Sequence, residues 1–427
     1  MQNSPRIAVI GLGYVGLPLA VALSRHYPVV GFDIDAARIA EVMSGQDRTG
    51  EVEDHILRSV TISFTSEAAD LAGTEIYMVT VPTPVTDDNV PDLSPLQAAC
   101  RTIGGTLGKG SIVVFESTVY PGVTEQVCGP ILAEASGLTC GKDFHLGYSP
   151  ERINPGDREH TVDRITKVVA GQTPDVAETL AAVYGNVTSG GVFVARDIMT
   201  AEAAKVIENA QRDINIAFVN EIAMIFKRLG LSVYDVLDAS GTKWNFLNFK
   251  PGLVGGHCIG VDPFYLAYCA KETGLDPNVI LSGRQVNDGM ASFLADEILG
   301  QVKAAGEGAP ARILVLGMTF KEDIPDLRNT KVADLVARLR ELGPAVDVHD
   351  PMADPDEASA HFGIDLLTSL SGARDYDCVI GAVPHSAYKA LTDKDLAAML
   401  KPNGLLADIK GMWRDMAVPD GLNYWNL

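Results

Sequence analysis

Residues 251–266 read PGLVGGHCIGVDPFYL, and they set one thiol on nearly bare backbone. Cys258 has Gly255 and Gly256 before it, Gly260 after it, and Asp262 four positions on. A cysteine that only fills a core is a small, inert hydrophobe among bulky neighbours. Glycines instead let substrate and cofactor approach the sulfur closely, at a cost in loop stiffness. A thiolate so placed is a nucleophile, and the Asp262 carboxylate can serve it as a base, alone or through a water. His257 stays outside this chemistry, because the side chains of adjacent residues seldom face one another.

A second group lies at Lys205 and Asn209, positions i and i+4 of a helical run, so both project from one face. Spacing alone allows two readings: the solvent side of an amphipathic rod, or an ammonium and an amide N–H cradling an oxyanion. A third group is VIGLGYVGLPLAVALS, where Gly11, Gly13 and Gly16 follow a strand-like run and open a helix-like one. In this G-x-G-x-x-G pattern the first glycine makes a tight turn and the second admits a pyrophosphate. The third lets helix and strand pack closely, and the helix N-terminus supplies amide donors. Tyr14 and Val15 complete the turn. The next strand ends in Asp33, 22 residues after Gly11, where a carboxylate binds both ribose hydroxyls and repels a 2′-phosphate. NAD is the cofactor expected over NADP; Arg38 lies near enough either to complicate that choice or simply to contact the cofactor phosphates.

NAD beside a nucleophilic cysteine implies a particular reaction. Oxidising an alcohol to an aldehyde needs no covalent help, but a second oxidation does. A thiolate supplies it by forming a thiohemiacetal, whose oxidation leaves a thioester that water cleaves to an acid. The residues point to a primary alcohol taken to a carboxylate.

These groups need rigid elements to position them. The N-terminal part alternates apolar strand-like runs (RIAVIGLG, PVVGFDID, TEIYMVTVPTP, GSIVVFEST and DFHLGYSPE) with helical ones, the pattern of a doubly wound α/β sheet. From Met199 to Leu229 the spacing predicts one long helix, free of glycine and proline, to act as a domain spine or a dimer interface. Further helices follow to about residue 305, interrupted by the cysteine loop. GEGAPA at 306–311 reads as a linker, after which RILVLGMTF, AVDVHDP and YDCVIGAVPHS loosely repeat the N-terminal strands in order. The organisation expected is a Rossmann-type NAD domain over 1–198, a central helical and dimerisation region over 199–305, and a Rossmann-like domain over 306–427. The last lacks the glycine triplet, so it is expected to bind a different nucleotide.

Composition narrows the partners. With 34 Lys and Arg against 55 Asp and Glu, the net charge of −21 repels nucleic acid and anionic lipid surfaces. The six cysteines show no C-x-x-C pair and no metal-ligand spacing, which suits a reduced, cytoplasmic protein with neither disulfide framework nor metal. No stretch reads as a membrane span, since residues 7–24 are broken by glycines and a proline.

Taken together, GLGYVGLPLA, VPTPV, ESTVYPG, SPERINPGD, AEAAKVIENAQRDINIAFVNE, PGLVGGHCIGVDPFYL and GMTFKEDIPDLRNTK resemble, in order, the motifs of the UDP-glucose/GDP-mannose dehydrogenase family. The resemblance spans nearly the whole chain. It implies that Cys258 is the nucleophile, that Lys205 and Asn209 stabilise the oxyanion, and that Asp262 holds a catalytic water. It implies roles for Glu151 in oxidation and thioester hydrolysis and for Thr118 in placing that water. Gly11, Gly13, Gly16, Asp33, Arg38, Thr83 and Arg328 would fall on the NAD side. Lys321, with Phe320 beside it, would bind substrate, as would Arg152, Lys250 and Gly255. Family members bind the sugar's nucleotide with the C-terminal domain and dimerise through the long helix, so a homodimer or higher oligomer is implied. Without the resemblance, TFKED and DLRNTK read as a charged solvated loop, and Glu151 and Arg152 as a surface pair.

The chain departs from the glucose-type members. SPERINPGD stands where they carry PEFLxEG, so a second acid is replaced by Pro155; GGHCIGVDP stands for GGSCFxKD, with Val261 for a lysine. Their partner-subunit arginine has no clear counterpart, Lys243 and Lys250 being the nearest cations. These changes resemble the branch that oxidises UDP-N-acetylhexosamines at C6, to supply uronic acids for surface polysaccharides. UDP-N-acetylmannosamine and UDP-glucose remain alternatives. So do a one-step hydroxyacid-type dehydrogenase and a non-catalytic sensor of NAD or nucleotide sugar, neither of which needs Cys258.

Overall fold

Strands buried on both faces must be apolar throughout, and IAVI, VVGF, IYMV and IVVF are. They form β1 (Ile7–Ile10), β2 (Val29–Phe32), β4 (Ile76–Val79) and β5 (Ile112–Phe115), every residue of them buried. The computed structural model describes residues 4–86, 88–152, 161–256, 259–304 and 311–427. It divides into two compact units, one of residues 1–208 with 264–275 and one of residues 209–263 with 276–427.

The first unit is built on an eight-stranded sheet. β3 (Ile62–Thr65), β6 (His145–Tyr148), β7 (Lys167–Gly171) and β8 (Val192–Val194) complete it in the order β3-β2-β1-β4-β5-β6-β7-β8. Every pairing is parallel except β6 with β7. Order reverses between β1 and β4, so the loops leaving those two strands diverge and open a crevice at their C-terminal ends. The helix Gly16–Ser24 is apolar nearly all round and buried against this sheet. The helix Pro174–Val187 starts on Thr173, whose hydroxyl accepts from Val176 N.

The second unit repeats the plan with six parallel strands. β9 (Arg312–Leu316), β10 (Ala345–His349), β11 (Leu366–Leu367), β12 (Tyr376–Gly381), β13 (Leu400–Asp408) and β14 (Asn423–Asn426) lie in the order β11-β10-β9-β12-β13-β14. The reversal falls between β9 and β12. The helices Asn278–Ala304 and Lys331–Glu341 pack on one face of the sheet and share its main core. The doubly wound α/β class expected for both ends of the chain is what the structure shows.

The long helix runs from Ile198 to Leu229, 32 residues, or about 48 Å. Its polar residues are not a solvated face. Glu202, Lys205, Asn209, Asp213 and Asn220 are all buried. In the first unit, the Glu202 carboxylate accepts from Gly122 N at 2.6 Å and Thr124 N at 2.9 Å. In the second, Asp213 accepts from Arg284 at 2.6 Å and from Asn287 at 2.8 Å. No helix among the described residues is long and apolar enough to cross a membrane.

Candidate active site

The first unit carries the dinucleotide loop. Gly11 leaves β1 with φ +95°, a conformation that L side chains rarely adopt. A Cβ on Gly16 would sit 1.8 Å from Gly11 O and 2.4 Å from Thr80 Oγ1, so close packing demands this glycine. Thr80, which sequence reasoning did not single out, donates to both Ile10 O at 3.0 Å and Gly11 O at 2.7 Å. Gly13 differs. A Cβ there would meet nothing within 4 Å, and the residue is exposed. Packing within the protein therefore does not demand a glycine there, and the position is open to close approach by a pyrophosphate. The residues present fit NAD.

The carboxylate of Asp33 accepts from Leu12 N at 2.8 Å and from Asp35 N at 3.0 Å, holding the loop to the end of β2. Arg38 is buried, its guanidinium given to Leu12 O at 2.9 Å, Glu41 at 2.7 Å and Asp47 at 2.7 Å. This puts Arg38 behind the loop, steadying Leu12. Tyr14, Val15 and Thr83 are half-buried, and the Thr83 carbonyl accepts from the Tyr265 hydroxyl at 2.9 Å.

Past β5 and β6 lie Thr118 and Glu151. Thr118 is half-buried in the loop after β5, beside Ser117, whose hydroxyl donates to Val81 O at 2.6 Å. Glu151 is buried; its Oε1 accepts from Arg152 N at 2.6 Å, and its Oε2 lies 3.7 Å from the ammonium of Lys167. Arg152 has further partners through its side chain. Its guanidinium forms an ion pair with Glu208 on the long helix at 2.8 Å and donates to Thr166 O at 3.2 Å.

In the second unit, Asn209 Nδ2 donates to Asp262 Oδ2 at 2.5 Å, and both residues are buried. Asp262 opens the helix Asp262–Glu272, and Asn209 lies one turn after Lys205 on the long helix. His257 and Cys258 lie outside the described residues. The strand of chain leading to them is pinned by Asn220, whose amide accepts from Gly252 N at 2.8 Å and donates to Gly252 O at 3.0 Å. Asn220 was not anticipated; a buried amide on an apolar helix face was its only signal. The two glycines before His257 and Cys258 have a packing reason. A Cβ on Gly255 would meet Asn329 O at 2.6 Å, and one on Gly256, at φ +84°, would meet the Phe320 ring at 2.9 Å. Among the other cysteines, a hydrogen bond with Cys100 and then burial raise the Cys128 thiol; burial raises Cys140, Cys269 and Cys378. Those four are poor nucleophiles at neutral pH.

The reversal between β9 and β12 opens a cleft in the second unit. Phe320, Lys321 and Glu322, after β9, form one wall; Ala382–Pro384, after β12, form another, and Lys410, after β13, closes it. Lys410 donates to Pro251 O at 3.3 Å, and burial pulls its ammonium below the usual lysine range. Lys250 is exposed, and its charge lowers Lys410 further. Arg328 is exposed and forks onto Asp326, Nε to Oδ1 at 3.0 Å and Nη2 to Oδ2 at 2.6 Å. The acid ending β10, Asp350, is the counterpart of Asp33, but it is buried and satisfied internally. It accepts from Met318 N, Thr319 N at 3.0 Å and His385 at 3.0 Å. Burial raises its proton affinity, yet the His385 hydrogen bond and the amides outweigh that and hold it at about 2. With this acid occupied, the second cleft offers lysines where the first offers a carboxylate.

Two Rossmann-type sheets, one with a dinucleotide loop and one with a basic cleft, define a two-nucleotide α/β protein. The models of the UDP-glucose/GDP-mannose dehydrogenase family match in three parts: NAD binding domain over residues 5–188, central domain over 199–289, and UDP binding domain over 314–415. The chain belongs to this family and is an NAD-dependent nucleotide-sugar dehydrogenase. It is 50% identical to Protein CapL of Staphylococcus aureus over 422 residues, 99% of each chain. It is 48% identical to a UDP-N-acetyl-D-glucosamine 6-dehydrogenase of Pseudomonas aeruginosa over 95% of this chain and 96% of that one. Among solved structures, a UDP-D-ManNAc dehydrogenase of Pyrococcus horikoshii superposes with TM-score 0.89 at 29% identity, covering 99% of this chain and 98% of that one.

Proposed function

We propose that the protein oxidises the C6 primary alcohol of a UDP-N-acetylhexosamine, UDP-N-acetylglucosamine first, to the uronic acid, a precursor for surface polysaccharide. The sugar class rests on similarity to the UDP-N-acetyl-D-glucosamine 6-dehydrogenases of P. aeruginosa and Salmonella typhi, at 48% and 46% identity. The chemistry rests on one observation, the buried Asn209–Asp262 hydrogen bond, four residues past Cys258 in sequence.

NAD, held by Gly11, Gly13, Gly16 and Asp33, supplies the hydride acceptor for each of two oxidations. Asp262, alone or through a water, takes the alcohol proton in the first. The Cys258 thiolate then adds to the aldehyde carbon, and the oxygen of this adduct carries negative charge. The Lys205 ammonium and the second N–H of Asn209 stabilise it. Loss of the second hydride leaves a thioester on Cys258. A water held by Asp262 and Thr118, with Glu151 as base, attacks the thioester; its oxygen becomes part of the carboxylate, and the thiolate leaves. Per sugar, one water is consumed and two hydrides depart. The nucleotide lies in the Lys321 and Lys410 cleft of the second unit; Phe320, Gly255, Lys250 and Arg152 are further substrate residues, and Thr83 and Arg328 further cofactor residues.

The protein acts as a homodimer through the long helix. Ile207, Phe218, Ile225 and Leu229 form one stripe along it, between 48% and 65% exposed, a large apolar surface for a helix otherwise well packed. Comparing kcat/KM for UDP-N-acetylglucosamine, UDP-N-acetylgalactosamine, UDP-N-acetylmannosamine and UDP-glucose tests the substrate. The expected order places an N-acetylhexosamine of the first two highest. Preference for UDP-glucose, or for the mannosamine epimer, overturns it.

A further inference from the structure

Behind Glu151 lies a buried cluster of charge that the reaction as derived does not use. Lys167, the first residue of β7, is fully buried, and its Nζ is 2.8 Å from Glu116 Oε2 and 3.7 Å from Glu151 Oε2. Glu116 follows β5, also fully buried, and its other oxygen accepts from the Tyr184 hydroxyl at 2.5 Å. The Tyr184 ring lies 5.1 Å from the Lys167 ammonium, so the cation rests against an aromatic face as well. Two carboxylates thus share one buried ammonium. A buried ion pair is a weak device for stability, since desolvation consumes most of its attraction. Its presence beneath a site residue calls for another reason.

We infer that Lys167 is a positioning residue for Glu151: with Glu116 and Tyr184 it sets the protonation of the Glu151 carboxylate and the direction in which it faces the site. This rests on the role proposed for Glu151 in the reaction. Glu116 holds Lys167 at hydrogen-bond distance and draws much of its charge; what is left acts on Glu151 across 3.7 Å. Lys167 therefore favours the ionised, base form of Glu151, and Glu116 moderates that bias. The next residue, Arg152, is paired to Glu208, and Lys205, three positions before Glu208 on the long helix, is buried. Burial lowers and the two carboxylates raise the proton affinity of Lys167, with a net rise, so it stays an ammonium through the working pH range.

The test is the pH dependence of kcat in three variants. Glu151→Gln is expected to abolish the acidic limb, which identifies that limb with Glu151. Lys167→Met removes the cation and is expected to move the limb up by roughly one to three pH units. Glu116→Gln removes the competing anion and is expected to move it down. Opposite displacements by Lys167→Met and Glu116→Gln support the inference, since a merely structural role lowers activity without displacing the limb. Should Lys167→Met not fold, Glu116→Gln, which buries no uncompensated anion, carries the test by its downward shift alone. An unmoved limb in the folded variants overturns the role of Lys167 while leaving Glu151 as base. A limb that survives Glu151→Gln overturns the role of Glu151 and the inference with it.

Discussion

The last two glycines of the dinucleotide loop separate folding from cofactor binding. Gly16→Ala places a methyl 1.8 Å from Gly11 O and 2.4 Å from Thr80 Oγ1, against backbone on one side and, on the other, a hydroxyl tied to Ile10 O and Gly11 O. Overpacking of this kind costs about 1–3 kcal/mol, and here at the upper end. Gly13→Ala puts the same methyl where nothing lies within 4 Å and where φ is not positive. Its effect on stability without cofactor is within about 1 kcal/mol. The methyl fills the space a pyrophosphate needs, so hydrogen bonds to a charged acceptor worth about 1.5–3 kcal/mol are lost. That corresponds to roughly a 10- to 100-fold weaker Kd for NAD. Scanning calorimetry without NAD and isothermal titration with NAD measure the two effects separately. Gly16→Ala is expected to lower Tm clearly, and Gly13→Ala to leave Tm in place while weakening NAD. Unchanged NAD affinity in Gly13→Ala, or equal loss of Tm in both, refutes the reasoning.

Arg38→Met leaves Asp47 buried without its cation, so it is expected to cost about 3–5 kcal/mol of stability, read as a lower denaturant midpoint, with no gain in use of NADP. Lys410→Met is expected to weaken UDP binding by at least about tenfold in titrations with UDP alone, and to leave NAD affinity unchanged. Because burial lowers the Lys410 pKa, its charge is lost on raising the pH sooner than for an ordinary lysine. UDP affinity should therefore fall with rising pH before ordinary lysines titrate, and Lys410→Arg should flatten that fall. Phe218→Glu sets a charge in the exposed apolar stripe of the long helix, and light scattering at micromolar concentration is expected to show dimers for the parent chain and monomers for the variant.

The parts legible in the sequence are those where local pattern and burial agree. β1, β2, β4 and β5 are apolar throughout because both faces are covered, and the long helix lacks any breaker until Gly230. Other elements were hidden for stated reasons. β3 is half-exposed and mixed, and β13 contains Pro402, Asn403 and Gly404, which read as a turn. Hydrophobic periodicity records which residues avoid water, and not which polar groups are buried with a partner. Lys205 and Asn209 thus fit a solvated face by spacing but are buried, as are Glu202, Asp213 and Asn220. Long-range partners leave no local trace. Lys167 meets Glu116 across 51 positions, and Lys410 reaches the chain before Cys258 across 159. The glycines around Cys258 were read as room for chemistry; Phe320 and Asn329 show that packing also requires two of them.

The central claim, a double oxidation through Cys258, is tested most directly by stoichiometry. Limiting UDP-N-acetylglucosamine is run to completion with excess NAD, and NADH formed is counted per sugar consumed, in the parent chain and in Cys258→Ser. The account predicts two NADH per sugar for the parent chain and no net acid from Cys258→Ser. One NADH per sugar, or a Cys258→Ser chain that still makes the acid, would contradict it.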